Sequence, residues 1–332
     1  MERKHGLTQI SILVLLFILL TTILGFNIKE ICAEEFPSRP IKIILPFGPG
    51  GINHVIWRTI SESMSKTLNT PVVIENKPGG GTSLAWTLLS KAKPDGYTTA
   101  ATPVTSVTNT FLAYKVEYDP VKSFTPIAGT WQYNEVLAIK SGSPWKNWEE
   151  FLSYVTSNPD KAKIGFSNPI GSAVLTMKLI AKKNNFKWRE IVTTGEGELV
   201  TQLLGGHIDA FVGAGVVHTL LKDGRAIPIL AITNEKMPNY PEVPCANELY
   251  GIDSLNVAGY TGPAGIPTKI VKKLESALQI ATKSKEYERT MEQMGAVVRF
   301  RTSKEFSEDF RWVYDVQKGH LKELGLIRAE LR

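Results

Sequence analysis

The sequence repeats one local pattern, in which a short apolar strand ends in a glycine-rich turn that leads into a helix. Residues 41–45 are rich in β-branched side chains, residues 46–51 carry glycines, and apolar side chains then recur every four positions across 56–68. Such a run is typical of a buried strand, and the four-residue spacing is typical of one helix face. The pattern returns at 72–89, so we predict a parallel, doubly wound sheet for this part of the chain.

A second series of strands and helices begins near residue 145. Strands are predicted at 163–167, 190–194, 209–212 and 228–232, and a further strand at 257–261 precedes two amphipathic helices. Those helices need a sheet to cover, which favours a return of the C-terminal third to the first domain. The predicted fold class is α/β, with two doubly wound domains joined by a hinge that the chain crosses twice. Domain 1 is predicted at 34–140 plus 250–332, and domain 2 at 141–249.

The N-terminus has the composition of an export signal. A basic start with Arg3 and Lys4 precedes an apolar run over 10–26, and Ala33 supplies a small residue for cleavage. We therefore predict a signal peptide at 1–33 and a periplasmic location. An uncleaved membrane anchor remains an alternative, because the run approaches the roughly 18–20 residues of a spanning helix. Removal of the signal peptide leaves Cys245 alone, which excludes an internal disulfide.

The motifs of catalysis and metal binding are missing from the sequence. It contains no HExxH, CxxC, GxxxxGK[ST] or GxSxG segment, and its five histidines are scattered. We predict no catalytic residue, no metal site and no cofactor. Glu196 and Glu198 are interpreted as solvated carboxylates. The net charge of +6 mildly favours an anionic ligand, but the scattered Lys and Arg residues argue against nucleic-acid binding.

The glycine-rich turns are the candidates for ligand binding. Glycines let a ligand approach the backbone closely, and N–H groups at a helix start carry partial positive charge that suits a carboxylate or phosphate. A tight turn whose glycines only satisfy positive φ is the alternative for the turn at 46–51. Similar polar turns follow other strands at 79–82 and 167–172. Because ligands of open α/β sheets bind beyond the carboxyl ends of the strands, these turns are expected to converge. None of these turns carries an arginine, so we expect backbone dipoles to bind the anion.

Read in order, several segments resemble the tripartite tricarboxylate transporter substrate-binding proteins, also called the Bug family. The segments are FPSRPI at 36–41, PFGPGG at 46–51, VIENKPGGG at 73–81, KPDGYT at 93–98, YDPVKSFTP at 118–126, LLGGHID at 203–209 and GPAGIP at 262–267. The resemblance implies a monomeric Venus-flytrap receptor. Such a receptor binds a small mono- or dicarboxylate and delivers it to a membrane permease of large and small subunits. A ligand-loaded sensor component that docks on a membrane sensor kinase is the alternative, and an enzyme is disfavoured by the missing motifs.

The resemblance also implies the positions of the binding residues. Domain 1 would contribute Phe47, Gly48, Gly50, Gly51, Gly80, Gly81 and Thr82, and the facing domain Ser167, Asn168, Gly171, Ser172, Thr194 and Gly195, with Thr102 and Ala214 nearby.

Some positions depart from the family pattern. His54 stands where an Asp is usual, and we interpret it as a surface or capping residue whose effect on affinity would depend on pH. Ala214 stands where an Asp is frequent, which argues against a ligand with an amino group.

Overall fold

The computed structural model describes residues 35–193 and 195–331. The predicted signal peptide at 1–33 and the predicted site residue Thr194 lie outside these residues. Every helix and strand described below belongs to one unit that begins at Arg39. Across the described ranges, no helix combines the length and the apolar character needed to cross a membrane.

The chain alternates strands and helices through most of its length. The strands are β1 (Ile41–Leu45), β2 (Val72–Asn76), β3 (Thr98–Pro103), β4 (Phe124–Gln132), β5 (Val136–Lys140), β6 (Lys163–Phe166), β7 (Arg189–Val192), β8 (Ala210–Gly213), β9 (Ala226–Ala231), β10 (Val257–Pro263) and β11 (Val297–Arg301). The helices are α1 (Ile52–Leu68), α2 (Ser83–Ser90), α3 (Val104–Ala113), α4 (Trp148–Ser157), α5 (Ser172–Asn184), α6 (Glu196–Leu204), α7 (Val216–Lys222), α8 (Ala246–Tyr250), α9 (Thr268–Thr282), α10 (Lys285–Gln293) and α11 (Ser303–Glu323). Two short 3-10 turns stand at Gly80–Thr82 and Ala329–Leu331.

Two sheets divide these strands between two lobes. The first sheet has the order β11-β4-β10-β3-β1-β2, and the second has the order β7-β6-β8-β5-β9. The repeated strand-turn-helix units are parallel, as predicted: β1 pairs in parallel with β2 and β3, and β6 with β7 and β8. The strands next to the lobe junction, β4, β5 and β10, pair antiparallel. The two-domain α/β fold is the predicted class.

Two short linkers join the lobes. The first linker, 133–135, connects β4 to β5, and the second linker, 253–256, leads from the second lobe back to β10. The backbone N–H of Tyr133 donates to the carbonyl of Asn256 at 2.9 Å, so the linkers run side by side. Sheet membership changes at the first linker, a few residues before the predicted boundary at 140, because β5 pairs with β8 and β9.

The predicted apolar face of α1 is buried against the first sheet. Ile56, Ile60, Met64 and Leu68 are all buried, and Trp57 stacks on Tyr260 of β10 with ring centroids 5.2 Å apart. Aromatic packing of this kind contributes roughly 0.5–1.5 kcal/mol beyond the buried area. The face holds the start of α1, and the turn before it, in a fixed position at the carboxyl end of β1.

Candidate functional site

A cavity of about 530 Å³ lies between the two lobes, within the usual size range of small-molecule sites. The first lobe lines it with the turn and helix start at 47–54 and with Pro103, Thr105 and Ser106. The second lobe contributes Ser167, Asn168, Gly171 and Ser172, then 195–197, Ala214 and Val216, and the linkers contribute Tyr133, Glu135 and Asn256. The walls therefore come from the carboxyl ends of strands in both sheets, as predicted for converging turns.

The turn at 46–51 presents backbone amides to this cavity. The N–H of Val55 donates to the carbonyl of Gly51 at 3.1 Å in the first turn of α1, and the amides before it have no intrahelical acceptor. A Cβ built on Gly48, Gly50 or Gly51 would meet no atom within 4 Å, so a ligand can reach the main chain. Gly50 has φ of +88°, a conformation that glycine adopts without strain.

A side-chain hydrogen bond holds this turn in place. Asn76, the last residue of β2, donates from Nδ2 to the carbonyl of Phe47 at 2.7 Å. The same Nδ2 lies 3.3 Å from Nδ1 of His54. His54 is half-buried and lines the cavity within the first turn of α1, whereas the N-cap is Gly51. His54 is thus not a capping residue, and it faces the ligand space.

The second lobe turns the start of α5 toward the same space. The amide of Leu175 donates to the carbonyl of Gly171 at 3.1 Å. The amides before it, in the first turn of α5, therefore have no intrahelical acceptor, as in α1. Oδ1 of Asn168 accepts from the amide of Ile170 at 3.0 Å and shapes the turn. Nδ2 of Asn109, in the first lobe, donates to the carbonyl of Ile170 at 2.7 Å. This bond across the lobes shows that the cavity is closed on this side.

Four of the predicted site residues are absent from the cavity lining. Gly80, Gly81 and Thr82 form a 3-10 turn, and the carbonyl of Gly81 accepts from Thr110 at 2.9 Å. The buried hydroxyl of Thr82 accepts from Ser106 at 2.9 Å, so this turn supports a lining residue instead of lining the cavity itself. Thr102 is buried between β3 and β10, where its hydroxyl lies 2.6 Å from that of Thr261.

The other described residues of the predicted set do line the cavity. They are Phe47, Gly48, Gly50, Gly51, Ser167, Asn168, Gly171, Ser172, Gly195 and Ala214.

Glu196 is not a freely solvated carboxylate, and that interpretation was wrong. Its two oxygens accept from the amides of Ala214 at 2.7 Å and Gly215 at 3.1 Å, at the start of α7. Burial raises the pKa of Glu196, while the amide hydrogen bonds oppose this shift. The sequence could not show this, because the partner amides follow a different strand. The carboxylate of Glu196 satisfies a helix start in the way a ligand anion would.

Glu135 is the functional candidate that sequence reasoning missed. It lies in the first linker and lines the cavity, and its Oε2 accepts from Oγ of Ser172 at 2.7 Å. The side chain of Asn256 in the second linker also donates to it. Burial raises the pKa of Glu135 to about 7, and the neighbouring charge of Glu196 adds to the effect. No motif marks this residue in the sequence, since its role depends on where the linkers meet.

Tyr133 connects the same linker to α1. Its buried hydroxyl donates to Oδ1 of Asn53, and both residues line the cavity. Burial raises the pKa of Tyr133, so this phenol is a neutral hydrogen-bonding group. Among the described lining residues there is no Lys or Arg. The donors that this lining offers to an anion are therefore main-chain amides, neutral polar side chains and the ring of His54.

Two α/β lobes, two linkers and a ligand-sized cavity between the lobes define a solute receptor. Residues 56–327 match the model of the tripartite tricarboxylate transporter family receptor. The chain belongs to this family, which confirms the resemblance drawn from the motifs. Membership in a family of receptors also agrees with the prediction of a binding protein and not an enzyme.

Individual related proteins match this chain over most of its length. A protein of Cupriavidus necator, described as UPF0065 protein in gbd 5'region, is 28% identical over 335 residues, 99% of this chain and 100% of its own. MatC from Rhodopseudomonas palustris, solved with bound malate, is 26% identical with a TM-score of 0.77, and the match covers 86% of this chain and 100% of MatC. A structure described as a periplasmic transporter is 25% identical with a TM-score of 0.80, over 88% and 99% of the two chains.

Proposed function

We propose that this protein captures a small organic carboxylate between its lobes in the periplasm and delivers it to a membrane permease of large and small subunits. The observation that carries the proposal is the start of α1, where the turn and first helical turn line the cavity with amides that have no intrahelical acceptor. Charge-assisted hydrogen bonds from such amides to a carboxylate are short and strong. The malate held by the related MatC is a ligand of this chemical class.

Contacts between the lobes support a receptor that closes on its ligand. A Cβ built on Gly215 at the start of α7 would lie 3.0 Å from Cβ of Ile52 at the start of α1, so the two helix starts touch. At the lobe rim, Nζ of Lys222 donates to the carbonyl of Glu292 at 3.2 Å. Closure removes water from the cavity, and electrostatic attraction between amides and a carboxylate grows as the local dielectric falls. The short linkers allow the lobes to separate for entry and release.

The proposal places the mature chain outside the inner membrane after removal of the segment at 1–33. The basic start and the apolar run at 10–26 are the support for export. The family is that of transporter receptors, which supports a permease as the partner. On this view the protein is a monomer that needs neither metal nor cofactor for binding.

A thermal-shift screen of the mature protein tests the ligand class. We expect at least one small carboxylate to raise the melting temperature, because a ligand at 100 times its Kd adds about 2.7 kcal/mol to the free energy of unfolding. Neutral sugars and simple cations at the same concentration serve as controls. A rise in melting temperature with sugars or cations, and no rise with any carboxylate, would overturn the proposal.

A further inference from the structure

The cavity carries an acidic side chain where the linkers meet the start of α5. Glu135 lines the cavity at the linkers, and its Oε2 accepts from Oγ of Ser172 at 2.7 Å. Asn256 reaches the same carboxyl group from the second linker, oriented by the bond from Thr105 Oγ1 to its Oδ1 at 2.9 Å. A carboxylate has about four lone-pair sites, so Glu135 keeps capacity to accept further hydrogen bonds.

The groups packed around Glu135 offer no cation to neutralise it. The groups near the Glu135 carboxylate are Tyr133 on the same linker, Ser172 on α5, Asn256 on the second linker and the carboxylate of Glu196 on α6. His54 is the other titratable residue on the lining, and it lies on α1 beside Asn76. A second ligand carboxylate placed near Glu135 would therefore meet like charge without a compensating Lys or Arg on the described lining.

One anion-binding position of the second lobe, the start of α7, is already filled. The amides of Ala214 and Gly215 at the start of α7 donate to Glu196, which leaves them unavailable to a ligand. Their use by an internal carboxylate removes one place where the far end of a dicarboxylate could have bound. The cavity thus combines uncapped helix starts at α1 and α5 with a carboxylate acceptor, Glu135, at the linkers.

We propose that the ligand is a carboxylate whose far end carries a hydrogen-bond donor, above all an ammonium group, that Glu135 accepts. The inference rests on the proposed function, because the carboxylate end must occupy the amides at the start of α1. It also changes the expectation drawn from Ala214. The acidic group missing at position 214 is supplied by Glu135 from the first linker, so an amino group has an acceptor in this cavity after all.

Isothermal titration of the mature wild-type protein with matched ligands tests the inference. In one set, a three-methylene spacer joins the carboxylate to ammonium, hydroxyl, methyl or a second carboxylate, in 4-aminobutanoate, 4-hydroxybutanoate, pentanoate and glutarate. The same comparison is repeated for spacers of one to five methylenes. At the best spacer we expect the ammonium ligand to bind at least ten times more tightly than the dicarboxylate, with the hydroxyl ligand between them.

The pH dependence gives a second readout on the unmodified protein. Since burial raises the pKa of Glu135 to about 7, the carboxylate becomes more fully charged between pH 6 and pH 8. Affinity for the ammonium ligand should rise over this interval and affinity for the dicarboxylate should fall. Comparing two ligands that share the same carboxylate end at each pH removes effects common to both.

Two variants test whether the preference for the ammonium ligand depends on Glu135. Glu135→Gln should remove the preference for the ammonium ligand, while Glu198→Gln, an exposed carboxylate one turn into α6, should leave it unchanged. Equal or tighter binding of the dicarboxylate by the wild type at pH 8 overturns this inference and leaves the proposed function standing. If no carboxylate in the series binds, the proposed function is overturned, and this inference with it.

Discussion

Two helix starts meet across the cavity, and they differ in what satisfies their amides. At α1 the N-cap is Gly51, no side chain caps it, and a Cβ built on Gly51 would meet no atom within 4 Å. At α7 the carboxylate of Glu196 reaches over from the start of α6 and accepts from Ala214 and Gly215. Both arrangements obey the same rule, that helix-start amides attract negative charge. The start of α7 satisfies the rule with a side chain of the protein, whereas no side chain caps the start of α1.

The difference shows how a receptor can make one end of its cavity selective for anions without any cationic side chain. An internal carboxylate at both helix starts would leave nothing for the ligand to bind. Open amides at both would favour an anion at each end. On the proposed function, this combination would place the carboxylate end of the ligand at α1 and its other end toward the linkers.

The largest effect is expected from a variant in which a carboxylate of the protein satisfies the start of α1, as Glu196 does at the start of α7. Gly51→Asp places a carboxylate at the N-cap, where it accepts from the amides that the ligand needs. We expect an affinity loss of at least about 100-fold, equivalent to about 2.8 kcal/mol, with the melting temperature of the ligand-free protein maintained. Titration calorimetry and thermal melts measure the two quantities. Gly319→Asp on the exposed face of α11 adds the same charge away from the cavity and should bind normally. Normal binding by Gly51→Asp would remove the α1 start from the site.

The converse change weakens the filled helix start. Glu196→Gln keeps the shape of the side chain but removes its charge, and its amide nitrogen cannot accept from a backbone N–H. Loss of a charge-assisted acceptor at buried amides should lower the free energy of unfolding by about 1–3 kcal/mol, as measured in urea. The exposed Glu198→Gln serves as the matched control. An unchanged midpoint in Glu196→Gln would show that these amides do not depend on the carboxylate.

The smallest expected effect concerns the contact between the two helix starts. Gly215→Ala introduces a Cβ that would lie 3.0 Å from Cβ of Ile52 in the closed form, so closure becomes less favourable. We expect affinity to fall by roughly 3–10 fold, about 1 kcal/mol, with little change in the stability of the ligand-free protein. Small-angle scattering with saturating ligand should show a less compact particle. Gly197→Ala, on the same rim but with open space at its Cβ, is the control. Equal affinity in both variants would show that the two helix starts do not need to touch.

Local patterns were sufficient to predict the elements near the site. The four-residue apolar spacing in α1 predicts a face that is buried. Asn147 caps the start of α4, where its Oδ1 accepts from the amide of Glu150 at 2.9 Å. In place of the reciprocal bond of a capping box, the carboxylate of Glu150 accepts from the amide of Lys146 at 2.8 Å. The glycine-rich turn at 46–51 was correctly placed between β1 and α1. These features depend on residues close together in sequence, which is why they could be read without the fold.

Sequence by itself determined the α/β architecture, the family and a glycine-rich helix start open to an anion, because periodicity, turn chemistry and N-cap identity act over a few neighbouring residues. Tertiary structure alone decided that the turn at 79–82 supports the wall through Ser106, that Glu196 fills the start of α7, and that Glu135 faces the ligand space. Each of these outcomes joins residues from separate strands or linkers. Burial and hydrogen-bond partners at such distances follow from how the sheets pack, and no local pattern in the chain encodes them.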